Sequence, residues 1–504
     1  MTPSKDLFEL VKSMTKAEKG YVKKRLSVFH TNSQNQRLFE LIDSQREYNE
    51  SLIRDELPFH SNNQFAVAKN YLYQFILESL ETYFKHTPLQ KIKSLLNSVQ
   101  ILSDKGLNEQ ALKTVEKAKR LSNKYQLNKQ LLEIADWEMV FLMNKNQSKE
   151  IFTEIQHQNN EVKKIISRIE AEAQAKYLHN YVRNKHLVIG MLRAEDEMQE
   201  LNTLFKEYKG KRSTKTQANF LTTYYHLFSA AIYYFTNNDF KQCYQFALQI
   251  ENLWNTHAHQ IEVYPNLYLN FLTRKMLFDE RLNQKDKIYH TIQKGMLALQ
   301  GRYTFDIKTK SVFYIFVLGM YMQYADYKNG LKIIESIEQF RKTLVGKSFA
   351  DSEEQLYKVT VSDIYFEMGN FKKSNLVLNE IIDNKLRYRE DIYCFAFVKS
   401  ILIHYELAHY DILPYKIKTT LAFLRKQKRL HASEYLIIHF IREQLKTGNA
   451  SVSTKAYKHL KTQLEEVLKN PYEKNSLNYF NFLVWVEAKI QKNTFEEVKL
   501  KTLS

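Results

Sequence analysis

Few residues in this 504-residue chain stand at spacings that chemistry could use. In "HAH", His257 and His259 sit at i and i+2, which places them on different faces of a helix. No Cys or carboxylate cluster nearby completes a metal set, so the pair reads as a surface loop. "VGKS" at 345–348 has the end of a phosphate-binding loop, but the glycine that motif needs earlier would fall on Arg341, and no strand precedes it. His404 and His409 fall inside a helical hairpin and read as packing residues. The paired acids Glu465–Glu466 and Glu496–Glu497 read as solvated helix faces. Neither a His-Glu-x-x-His, a Gly-x-Ser-x-Gly nor a dinucleotide-binding glycine pattern occurs. Cys243 and Cys394 lack CxxC spacing and read as small buried hydrophobes in a reducing cytosol. The expectation is a protein that is not an enzyme, with no catalytic or metal-binding residue and no cofactor.

Binding chemistry is better represented. The chain carries 74 Lys and Arg against 56 Asp and Glu, a net charge of +18. Such a balance suits an anionic partner, either nucleic acid or an acidic protein surface; the competing reading is a lysine-rich bias spread over solvated helices. The densest basic run is "YKIKTTLAFLRKQKRLH", with Lys416, Lys418, Arg425, Lys426, Lys428 and Arg429 and no acid between Asp411 and Glu434. It is a candidate contact for an acidic partner. The opening residues lack the apolar core and cleavage site of a signal peptide, and the longest apolar run, 312–322, is too short to span a bilayer. A cytoplasmic protein with no membrane contact is expected.

The elements that must position these residues are helices. Only 11 glycines and 6 prolines punctuate the chain, too few for a strand-rich fold. One stretch, "MGNFKKSNLVLNEII", shows a repeated unit: Tyr365, then Gly369, Phe371, Ser374, Leu378 and Ile381. An aromatic closes one helix, a small residue allows the turn, and the next helix packs its 374/378/381 stripe back. The frame recurs at Tyr234, Asn238, Phe240, Cys243, Ala247 and Ile250, and again at Tyr321, Ala325, Tyr327, Gly330, Ile334 and Ile337. Further copies run through His404, Ala408, Tyr410, Leu413, Ile417 and Thr420, and through Leu102, Gly106, Ala111, Val115 and Ala118. Degenerate turns are expected near Asn146, Arg193 and Asn283, with later ones at Gly448 and near Asn493. The period is about 40–44 residues, the mark of stacked helical hairpins.

Residues 369–381 resemble the turn and second helix of a tetratricopeptide repeat, whose glycine, aromatic and small–large–small positions match Gly369, Phe371, Ser374, Leu378 and Ile381. The period is longer than that family's, and its tryptophan and proline are mostly missing. The expected fold is all-α: a right-handed α-solenoid of stacked hairpins over 89–504, behind a small helical module over 1–88. The resemblance implies a groove lined by the first helix of each repeat. Three residues before each turn, that groove would present Phe235, Met322, Phe366 and Tyr405, an apolar stripe for a peptide or helical segment. The alternative is that longer helices bury these side chains between repeats.

The first module reads as helices near 5–13, 15–29, 36–48, 50–59 and 63–84. The last three have the outline of a helix-turn-helix in which Asn63, Gln64, Lys69 and Asn70 would face DNA. Residues 1–90 carry 12 Lys and Arg against 11 Asp and Glu, a poor balance for phosphate, so a cap or docking bundle is the preferred reading. The function expected is a protein-interaction scaffold or adaptor. The alternative is a nucleic-acid-binding or peptide-sensing regulator, a layout shared by bacterial peptide-sensing regulators.

Overall fold

The computed structural model describes residues 5–503 apart from 30–32, 58, 60, 145–149, 191, 194, 211–218, 302, 345–348, 386 and 447–452. Among the described residues the chain is helical, with no strand. Backbone contacts divide it into two units: Met1–Ala171 with Ala258–Tyr264 and Glu338–Ser348, and Glu172–His257 with Pro265–Ile337 and Phe349–Ser504.

The first unit opens with α1 (Asp6–Ser13), α2 (Lys16–Phe29), α3 (Ser33–Ser44), α4 (Glu50–Glu56) and α5 (Asn62–Tyr83). Their core gathers Phe8, Val11, Val22, Leu26, Phe39 and Ile53 against Phe65, Leu72, Phe75 and Ile76 of α5. The third helix stops at Ser44, short of the predicted 48. The Gln45 amide there donates to Asn49 O at 2.8 Å and accepts from Asn49 N, and Asn49 in turn caps α4 through Leu52 N. α6 (Pro88–Asp104), α7 (Asn108–Lys124) and α8 (Asn128–Met143) follow, with Pro88 in the first turn of its helix.

α9 (Glu150–Ile189) is one uninterrupted helix, longer than any repeat helix, and α10 (Gln199–Gly210) succeeds it. Regular hairpins then follow. They are α11 (Phe220–Thr236) with α12 (Phe240–Thr256), α13 (Pro265–Glu280) with α14 (Lys285–Gln300), α15 (Ile307–Gln323) then α16 (Tyr327–Thr343), and α17 (Asp351–Glu367) with α18 (Phe371–Asp383). Next come α19 (Glu390–Glu406) with α20 (Leu413–Lys426), α21 (Ala432–Lys446) with α22 (Thr454–Val467), the short α23 (Pro471–Lys474), α24 (Phe482–Gln491) and α25 (Phe495–Leu503). The first helices also pack on one another in series: α13 on α15, α15 on α17, α17 on α19.

The predicted turn residues Gly106, Asn238, Asn283, Ala325, Gly369 and Ala408 all have positive φ, between 52° and 74°. Each closes its helix the same way. Gly369 N donates to Phe366 O and Asn370 N to Tyr365 O, while Ala325 and Asp326 do the same to Met322 and Tyr321. Glycine adopts this conformation without the penalty that alanine carries. The expected stripes are buried: Ala111, Val115 and Ala118; Cys243, Ala247 and Ile250; Ser374, Leu378 and Ile381; Leu413, Ile417 and Thr420. In α16, Ile337 is buried and Ile334 half-buried. Ser374 shows why the position is small, for its hydroxyl donates to Ser362 O at 2.8 Å and that of Ser362 donates to Ser374 O at 3.0 Å. Asn146 and Gly448 lie outside the described residues. Lys492, beside the expected last turn, has φ 56°. Arg193 lies between α9 and α10 but is deeply buried, paired with Glu434 at 2.8 Å and Glu473 at 3.2 Å.

Candidate functional site

Within the second unit the first helices face a chamber of about 670 Å³. Its walls come from α9 (His186), α11 (Phe235), α13 (Arg274, Leu277, Glu280, Arg281), α15 (Ile315, Phe316, Met320, Met322), α17 (Leu356, Val359, Asp363) and α19 (Arg389, Ile392, Phe395). The remaining wall is the segment from Pro471 to Asn481. The size lies in the range of sites for small ligands or a few residues of peptide.

The segment is held by polar contacts with the helices it faces. Arg193 grips Glu473, which also accepts from Ala432 N and Ser433 N. Asn475 donates to Leu192 O at 2.6 Å, and Arg281 donates to Asn478. The Tyr479 hydroxyl donates to Asp391 at 2.6 Å, and Asp391 is also gripped by Arg389. Gln355 fixes the backbone of Arg389 by a reciprocal pair of hydrogen bonds, 2.8 and 3.0 Å. Gly190, φ +70°, ends α9 against this cluster; a Cβ there would lie 2.2 Å from the Asp391 carboxylate.

Charge in the chamber is unevenly matched. Glu280 pairs with Arg281, Asp391 with Arg389, and Asp363 with the buried Lys399. Arg274 reaches over the Phe316 ring at 5.4 Å and, among the described residues, has no carboxylate partner. Burial, with the nearby charges of Arg183 and Arg389, pulls its pKa down to about 10. Burial, then Arg274 and Arg389, drives His186 down to about 3; burial, then Arg183 and Arg274, does the same to His179. Both imidazoles are neutral at pH 7. Burial also pushes the Cys394 thiol up to about 12 and Cys243 higher still, so both are inert thiols.

The four residues read as a groove stripe divide into two pairs. Phe235 and Met322 line the chamber. Phe366 is buried against Phe371, Phe480 and Phe495, and Tyr405 against Trp485, with its hydroxyl 2.9 Å from that of Tyr457. Lys418, Arg425, Lys426 and Lys428 of the basic run are exposed. Lys416 is half-buried and donates to Ser400, and Arg429 is half-buried. In the first unit Asn63, Gln64 and Asn70 are exposed at the start of α5. Lys69 is occupied, bound to Glu50 at 3.0 Å and lying over the Phe65 and Tyr48 rings. Burial would raise the Glu50 pKa, but hydrogen bonds from Arg54, Lys69 and Tyr48 outweigh it and bring it to about 2.

His257 caps its own helix through Leu253 O, and His259 bonds Lys124 O. Among the described residues no group of three His, Cys, Asp or Glu could hold a metal ion, and no helix is long and apolar enough to cross a membrane. Residues 345–348 lie outside the described residues. Arg274, Arg281, Arg389 and the 471–481 segment were not singled out by sequence. A usable signal existed for Arg274: nine residues before successive turns the chain has Ser229, Arg274, Phe316, Thr360 and Lys399, so a cation stands twice at one repeat position. No protein-family model, no curated protein and no solved structure matches the chain.

Proposed function

We propose that the protein is a non-enzymatic interaction scaffold or adaptor, built as a right-handed tetratricopeptide-like solenoid, whose first-helix face receives a short peptide segment. One observation carries this reading: successive first helices contribute to a single chamber of about 670 Å³ with apolar walls and cationic groups. Phe235 and Met322 contact the segment, and the exposed lysines and arginines of 416–429 give a second contact for an acidic partner. The test is capture of partners from native cells by the full chain and by Met322→Arg, which puts a charged side chain into the chamber. Loss of specific partners in the variant is expected, and identical capture would overturn the reading. Reversal of Lys426, Lys428 and Arg429 to Glu tests the second contact, which stands only if a captured partner weakens.

A second reading, a DNA-binding regulator, is favoured by the exposure of Asn63, Gln64 and Asn70 at the start of α5. Its test is a gel-shift at low salt, where phosphate contacts are strongest. Absence of any shift would remove it.

A further inference from the structure

We infer that the chamber holds an anion subsite at Arg274, and that its occupant presents a carboxylate or phosphoryl oxyanion to this guanidinium while resting its apolar part on Phe316, Met320 and Met322. The inference rests on the reading of the chamber as a binding site and names the chemistry of what enters.

Each acid that lines the chamber is already committed: Glu280 to Arg281 and Asp363 to Lys399. Another cation of the lining, Arg389, is committed to Asp391. Two lining cations are left over, the exposed Lys474 and the half-buried Arg274, and only Arg274 lies against an aromatic face of the chamber. The charges that act on it, those of Arg183 and Arg389, are both positive, and His179 and His186 are neutral, so none of these groups offers it a negative charge. The Phe316 face offsets part of this, as a ring quadrupole does for a cation. Arg274 is half-buried, so its guanidinium is only partly hydrated; a purely structural position would favour an apolar side chain of similar length, because even partial loss of hydration without a counter-charge opposes folding. Guanidinium donors are fixed in a fork that matches two oxygens of a carboxylate or phosphate. Apolar walls beside that fork fit a head group attached to a hydrocarbon or apolar peptide body.

The test uses the full chain, its Arg274→Gln variant, and four probes: acetate, inorganic phosphate, decanoate and the neutral decanol. Thermal melts at matched ionic strength and calorimetric titration read the outcome. Decanoate is expected to bind the native chain and to bind the variant at least about tenfold more weakly, with decanol weak on both. Comparing acetate with phosphate decides between a carboxylate and a phosphoryl source. The unliganded variant is expected to melt at the same temperature as the native chain or above it, as removal of a charge kept for binding should allow. Equal binding of decanoate by the two proteins would overturn the subsite, as would decanol binding as tightly as decanoate. So would failure of every anion to shift the native chain relative to the variant, or a variant melting well below it. Each of these leaves the chamber reading to be judged by the Met322→Arg capture, so the two proposals fail separately.

Discussion

One repeat position has two fates in this molecule. Three residues before the turn, the half-buried Met322 and the buried Phe235 border a chamber, whereas Phe366 and Tyr405 are buried beneath α24, α25 and the chain around Phe480. The local frame is identical in all four: each carbonyl accepts from the N–H of the following turn residue. What differs is what the rest of the chain lays across the helix. A repeat therefore fixes where a side chain points and leaves open whether it binds a partner or a piece of its own protein.

The largest expected effect is on the sealed side. Phe366→Ala should cost about 3–5 kcal/mol in denaturant unfolding, since a fully packed ring is removed among Phe371, Phe480 and Phe495. Met322→Ala, half-buried at the chamber, should cost about 1 kcal/mol or less. Equal losses would erase the contrast. Arg193→Met should come next at about 3 kcal/mol, because it strands Glu434 in the interior; the double variant with Glu434→Leu should recover much of that loss.

Acid should act on the two buried histidines of α9, of which His186 lines the chamber. His179 and His186 take up a proton near pH 6.5 when unfolded but only near 3 when folded, so the unfolded state binds more protons between those values. Stability is full above pH 6.5 and falls as pH drops, by about 2 kcal/mol per histidine at pH 5. Melts of the His186→Gln variant between pH 7 and 5 should show a flatter decline, and an unchanged slope would remove the role assigned to burial. The smallest effect belongs to the turns. Ala325→Gly and Ala408→Gly should each gain about 0.5–1 kcal/mol and Gly369→Ala should lose a similar amount, if shared left-handed geometry underlies the frame.

Much of the architecture was legible because a hairpin turn leaves a local signature. A residue of positive φ, an aromatic two positions on and a small residue three further are all decided within a dozen residues, as Gly369, Phe371 and Ser374 show. The unbroken α9 was not legible, since nothing in its composition separates one long helix from two abutting ones. The chamber was only half legible. Its stripe at Phe235 and Met322 follows from periodicity, whereas the wall from 471 to 481 depends on pairings such as Tyr479 with Asp391 and Asn475 with Leu192, made across stretches of chain that no local pattern spans. Arg274 could be seen as a cation at a repeat position it shares with Lys399, but that the acids lining the chamber are committed elsewhere is a property of the folded chain.

The binding of residues 471–503 across earlier helices has a consequence for synthesis. Helices from α11 to α22 leave the ribosome before the segment that covers Phe366, Phe395 and Tyr405 exists. During that interval their inner side chains face water, and the newborn chain presents an adhesive surface until Phe480, Trp485 and Phe495 emerge. Emergence of residues 471–503, rather than formation of any single hairpin, is then the step at which these helices are covered.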